Sequence, residues 1–168
     1  MAPPLVPNGN YRIINVKFSN QEADLLYPGD ATGVIGGFQI NSSSQRMIFE
    51  LNNVNVNEVM LTNIGVDKPA YAHVAQAIQV LCILLLMTRT SPTPGGGEYP
   101  HRSGRLHGNP EVPTMWTLKE TAMGQYQITY RGGPLGWTLG DANNNTPINL
   151  QPLMFANKAQ SWTFQAQE

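Results

Sequence analysis

Side chains able to ligate a metal or run acid–base chemistry are sparse in this sequence. It has three histidines and one cysteine in 168 residues. His73, His101 and His107 are scattered, and no motif pairs them with a nucleophile or with paired carboxylates. No catalytic constellation emerges, so the chain reads as a non-enzyme without a cofactor. With only three histidines a zinc site has few ligands to draw on, and no metal site is expected. Cys82 stands alone and cannot form an intramolecular disulfide. Asn41 and Asn144 open N-x-S/T triplets, which matter only for a chain that enters the secretory pathway.

Bulk composition narrows the partners. Charged residues make up 12% of the chain and the net charge is −1. A nucleic-acid partner is therefore not expected, because phosphates demand a basic excess. The length suits one domain with a real core, residues 1–168. Sixteen glycines and thirteen prolines imply frequent turns between short strands. Met1 to Pro7 has neither the basic nor the long apolar stretch of a signal peptide. The longest apolar run, Val80 to Met87, is far short of the roughly 20 residues of a membrane-spanning helix. A soluble, cytoplasmic protein with no membrane partner is the expectation.

The elements that must position any site come from an internal repeat. Tyr11 to Gln45 is 34 positions, and so is Tyr126 to Gln160; Phe49 and Phe164 each follow four residues later. A weaker copy lies between them, with Val59 to Ile64 aligned on Tyr11 to Val16 and a closing strand at Met115 to Leu118. The units run over about 9–51, 57–119 and 124–166. Each of the outer two holds four short strands at the spacing of closed or sandwiched β-architecture, with no sustained helical period. Ile13, Leu61 and Ile128 hold equivalent places and are expected to point into one shared core.

The middle unit is longer. Val59 to Thr114 spans 55 positions, so about 21 extra residues lie between Ala77 and Asn109. This span holds the apolar run, a Pro/Gly-rich tract and Arg89, Arg102 and Arg105. It reads as a long binding loop, as an insertion without function, or as translated intron sequence. A short helix over Ala72 to Met87 and a disordered Gly-rich part are expected. The whole excursion should lie outside the barrel, so that its deletion leaves a folded protein.

Gln-x-Trp closing a unit, within a threefold pattern of short strands, resembles the ricin-B-type β-trefoil. The motif is intact at Gln160-Ser161-Trp162 and altered at Gln45-Arg46-Met47 and Thr114-Met115-Trp116. Tyr11 to Val16, followed by Ala23-Asp24-Leu25 and Gly29-Asp30, looks like the intracellular ricin-B-like lectins of mushrooms. The resemblance covers roughly residues 9–76 and 110–166. It implies an all-β trefoil, a six-stranded barrel capped by three hairpins, with a long insertion in the second unit. It also implies that Trp116 and Trp162 fill the core and that Gln45 and Gln160 brace the hairpins.

Sugar binding in that family uses an Asp that accepts from sugar hydroxyls, an aromatic ring that stacks on the apolar sugar face, and an Asn beside the Gln. The positions that match are Asp24, with Phe38 within one position of the stacking ring, although a core place for Phe38 is slightly favoured. Ser44 stands where the Asn is expected, beside Gln45. The second unit offers no carboxylate near Tyr71 to His73. The third, with Thr138, Leu153 and Ala159, looks dead. The resemblance thus implies a lectin with at most one working site, and a galactose-type glycan as partner. Asp24 is expected to face solvent, and useful avidity would come from a longer glycan or a homodimer. The alternative is a β-trefoil protease inhibitor presenting an exposed loop, for which Arg89, Arg102 and Arg105 would suit a trypsin-like pocket.

Overall fold

A computed structural model describes residues 3–27, 30–40, 45–65, 68–74 and 104–167. Its strands come in three sets of four. The first unit holds β1 (Gly9–Asn15), β2 (Gln21–Leu25), β3 (Ile35–Gln39) and β4 (Ile48–Asn53). The second holds β5 (Glu58–Asn63), β6 (Ala70–Val74), β7 (Gly104–Asn109) and β8 (Met115–Ala122). The third holds β9 (Gln125–Tyr130), β10 (Leu135–Leu139), β11 (Thr146–Pro152) and β12 (Trp162–Ala166). Single turns of 3-10 helix, Gln45–Met47 and Lys158–Gln160, precede β4 and β12.

The outer strands of each unit close a ring. β1 pairs β4, β4 pairs β5, β5 pairs β8, β8 pairs β9, β9 pairs β12 and β12 returns to β1, all antiparallel. A ring of six has no free edge, which removes the open-edge hazard of a short sheet. The inner strands form three hairpins, β2–β3, β6–β7 and β10–β11. They meet where β11 pairs both β3 and β7, and where Val34 bridges His107. Gly36 is required at this junction, because a Cβ there would lie 2.7 Å from the Thr146 carbonyl oxygen. The chain is thus an all-β trefoil with pseudo-threefold repeats.

The core follows from the repeat. Ile13, Leu61 and Ile128 are at most 1% exposed and lie in one apolar cluster, as their equivalent places predict. No unit could bury this face alone. Trp116 and Trp162 are both fully buried. Each indole N–H donates to a carbonyl on the second strand of its own unit, Trp116 to Ala72 at 3.0 Å and Trp162 to Trp137 at 3.1 Å. Trp137 stands between them, edge-on to both, with ring centres 5.3 and 6.0 Å away. The first unit has Met47 in the matching place, equally buried but without an N–H to donate. Gln160 braces its hairpin as expected: its Oε1 accepts from Met154 N at 2.8 Å, and its Nε2 donates to Pro152 O at 2.8 Å.

Two expectations for the middle unit need correction. Ala72 to Val74 begin no helix; they end β6, which pairs β7. Gly104–Asn109, assigned to the excursion, is β7 itself, bound to β6 and to β11 inside the cap. The remainder of both spans, with its expected disorder, Cys82, Arg89, His101 and Arg102, lies outside the described residues. A deletion through Asn109 would remove a cap strand. Val74 and Leu106, by contrast, are paired across the hairpin, so its ends are adjacent. Exchanging residues 76–102 for a short Asn-Gly turn is expected to keep the fold, since each halving of a loop lowers its closure cost by about 0.6 kcal/mol. Loss of a cooperative urea transition in that variant would place the segment in the core.

Candidate functional site

In a β-hairpin, residues directly opposite one another project to the same side, and the side alternates along each strand. In β2–β3 Glu22 opposes Phe38, and Asp24 opposes Gly36. Ala23, Leu25 and Ile35 take the other side and enter the core. Asp24 and Phe38, predicted as site residues on two successive strands, therefore share the face of this hairpin turned away from the apolar core. Phe38 is half-buried and lies outside the apolar core, which corrects the slight preference for a core ring.

The surroundings of Asp24 differ from expectation. Its side chain does not face solvent; it is 1% exposed. Among the described residues neither carboxylate oxygen has a hydrogen-bond partner. The nearest cation is Arg46, whose Nη2 lies 3.8 Å from Oδ2 while its own side chain is 30% exposed. Beside them Arg12 Nη1 donates to Glu22 Oε1 at 2.8 Å, with both side chains buried. Arg12 also reaches Met47 Sδ at 3.4 Å and Gln167 Oε1 at 3.1 Å. Burial pushes the Asp24 carboxyl up to about 6; Arg46 and Arg12 pull it down and Glu22 pushes it further up. Desolvation wins because no hydrogen bond reaches the carboxylate among the described residues and the nearest cation, Arg46, is 3.8 Å away and partly solvated.

Gln45 opens the 3-10 turn next to this face; its side chain and the whole of Ser44 lie outside the described residues. Arg12, Glu22 and Arg46 were missed at the sequence level. Arg46 had a signal, standing inside the altered motif Gln45-Arg46-Met47; Glu22 had another, two positions before Asp24 and so on the same strand face.

The strand registers place the same face in the other units. Asp24 corresponds to His73 in β6 and Thr138 in β10, each opposite its own partner strand. In the third unit Thr138 Oγ1 accepts from Gln160 Nε2 at 3.0 Å, so the hydroxyl is committed to the brace. In the second, His73 Nδ1 lies 2.5 Å from Thr114 Oγ1, the residue in the Gln slot. Scattered in the sequence, His73 and His107 are direct cross-strand partners with ring centres 5.3 Å apart. Arg105, considered for a protease-facing loop, is instead a β7 strand residue opposite Asn149 of β11, with its side chain exposed.

No family model matches the chain, and no curated protein does. Solved structures do. The Rhizoctonia solani agglutinin is similar over 99% of this chain and 100% of its own, at 18% identity and a TM-score of 0.71. The Macrolepiota procera ricin B-like lectin, in complex with lactose, is similar over 96% and 99%, at 20% identity and 0.66. A proteinase inhibitor from Coprinopsis cinerea is similar over 96% and 99%, at 13% identity and 0.58. A mosquitocidal holotoxin matches at a TM-score of 0.72 and 14% identity, but this chain spans only 18% of its length. At such identities the likeness is one of fold, and it agrees with the ring of six strands and three hairpins: this chain has the β-trefoil fold found in ricin-B-like lectins.

Proposed function

We propose that this protein is a non-catalytic glycan-binding protein whose one working site is the outer face of β2–β3. The observation that carries this reading is Asp24: a buried carboxylate whose two oxygens make no hydrogen bond among the described residues, on the same face as the half-exposed ring of Phe38. A sugar edge with neighbouring hydroxyls supplies the donors that Asp24 lacks, and its C–H face suits the ring. Ser44 and Gln45 would add contacts from the adjoining turn. The lactose-bound Macrolepiota lectin supports a galactose-type ligand. Because Asp24 is covered, part of the binding energy goes into uncovering it, with Arg46 at the rim swinging away.

A glycan array followed by calorimetry with lactose tests this. A single small site is expected to bind lactose at about millimolar Kd, near −4 kcal/mol. Asp24→Asn should abolish that binding while the far-ultraviolet spectrum stays unchanged. Binding that survives the substitution would move the site elsewhere. The second reading, a protease inhibitor, rests on the fold likeness to the Coprinopsis inhibitor. Absence of any glycan signal together with inhibition of a trypsin- or papain-type protease would favour it.

A further inference from the structure

We propose that His73 and His107 form a two-histidine site for a divalent transition-metal ion on the outer face of β6–β7. The two residues are opposite one another in neighbouring strands, so their side chains leave the same face of the hairpin. Each ring has its Nδ1 engaged by an oxygen: His107 donates to the Gly108 carbonyl at 2.9 Å, and His73 meets Thr114 Oγ1 at 2.5 Å. This is how metal-bound imidazoles are held, one nitrogen fixed by an oxygen partner and the other turned to the ion. Neither Nε2 makes a hydrogen bond among the described residues, and neither is an unpartnered atom sealed from solvent.

The spacing fits the chemistry. A bond of about 2.0–2.1 Å from zinc to an imidazole nitrogen puts the metal about 3.2 Å from the ring centre. Two such arms meeting near the tetrahedral angle separate the ring centres by about 5.2 Å. The observed separation is 5.3 Å, with the rings inclined at 75°. No group of three His, Cys, Asp or Glu side chains surrounds a common point among the described residues. Water then completes the coordination, and copper(II) is held more tightly than zinc, as the order of divalent affinities at imidazole ligands requires.

The ion would clip β6 to β7 where that hairpin meets the first unit, since Val34 bridges His107 and Gly108 N donates to Gly33 O at 2.8 Å. Calorimetric titration of the chelator-stripped full chain with copper(II) and with zinc, at neutral pH, tests the proposal. One equivalent of each ion is expected to bind and to raise the thermal midpoint. His107→Gln and His73→Gln should each weaken binding at least about tenfold, the step lost with roughly 1.4 kcal/mol, while His101→Gln leaves it unchanged. His107 is the less buried of the two, so its variant carries the test if His73→Gln fails to fold. No binding at micromolar metal, retention of binding by His107→Gln, or its loss in His101→Gln would each overturn the proposal.

Discussion

Trp162→Ala is expected to lower the unfolding free energy by about 3–5 kcal/mol, the range for removing a large buried aromatic side chain. The indole is fully buried, edge-on to Trp137, and its N–H is tied to the Trp137 carbonyl. Truncation leaves a cavity between the barrel and the third hairpin and an acceptor without its donor. Urea unfolding followed by circular dichroism reads the change as a lower midpoint at unchanged slope. Trp162→Phe keeps most of the apolar volume and loses the N–H, so it should cost less than the alanine variant. A midpoint unaltered by Trp162→Ala would show that the site is not part of the core.

Asp24→Asn is expected to flatten the pH dependence of stability between about pH 4 and pH 7, where the native protein loses about 3 kcal/mol through this one group. The sign follows from burial. The Asp24 carboxyl titrates near 3.8 when unperturbed and at about 6 in the folded protein. The folded state therefore holds the proton more tightly than the unfolded state. Its contribution to stability is complete below pH 4 and disappears as pH rises through 6. Asparagine cannot ionise, so the difference between the two proteins should grow toward neutral pH and vanish in acid. The absolute offset is reduced by the amide, which is itself costly to bury without partners; the slope is the cleaner readout. Parallel stability profiles for the two proteins would mean that Asp24 is solvated.

The architecture was legible because a threefold repeat of strand-length segments admits few closed solutions. Tyr11, Val59 and Tyr126 open the units, and the Gln160 brace and both tryptophans sit where the motif put them. β7 was hidden because alignment by spacing cannot say which end of an insertion belongs to the cap. Its alternation of Leu106 inward and Arg105 outward was the available signal. The strand register puts Asp24 and Phe38 on one face, but the burial of Asp24 was not legible, since β2 packs against β1 and the Gln45–Met47 turn, contacts that no strand pattern encodes. The meeting of His73 with His107 was unreadable for the same reason: 34 positions separate them, and only the hairpin register brings them face to face.

The replacement of tryptophan by Met47 divides labour among the repeats. Two units are latched by an indole N–H on a neighbouring carbonyl, and the first is not. That unlatched unit is also the one that encloses Asp24, a carboxylate with no hydrogen bond among the described residues. A designer who regularised this chain by copying its third unit three times would gain a latch and satisfy the hairpin brace at every turn. The same step would delete both the buried carboxylate and the histidine pair. In this molecule departure from symmetry is where binding chemistry can reside, and its symmetric part is the frame that tolerates the departure.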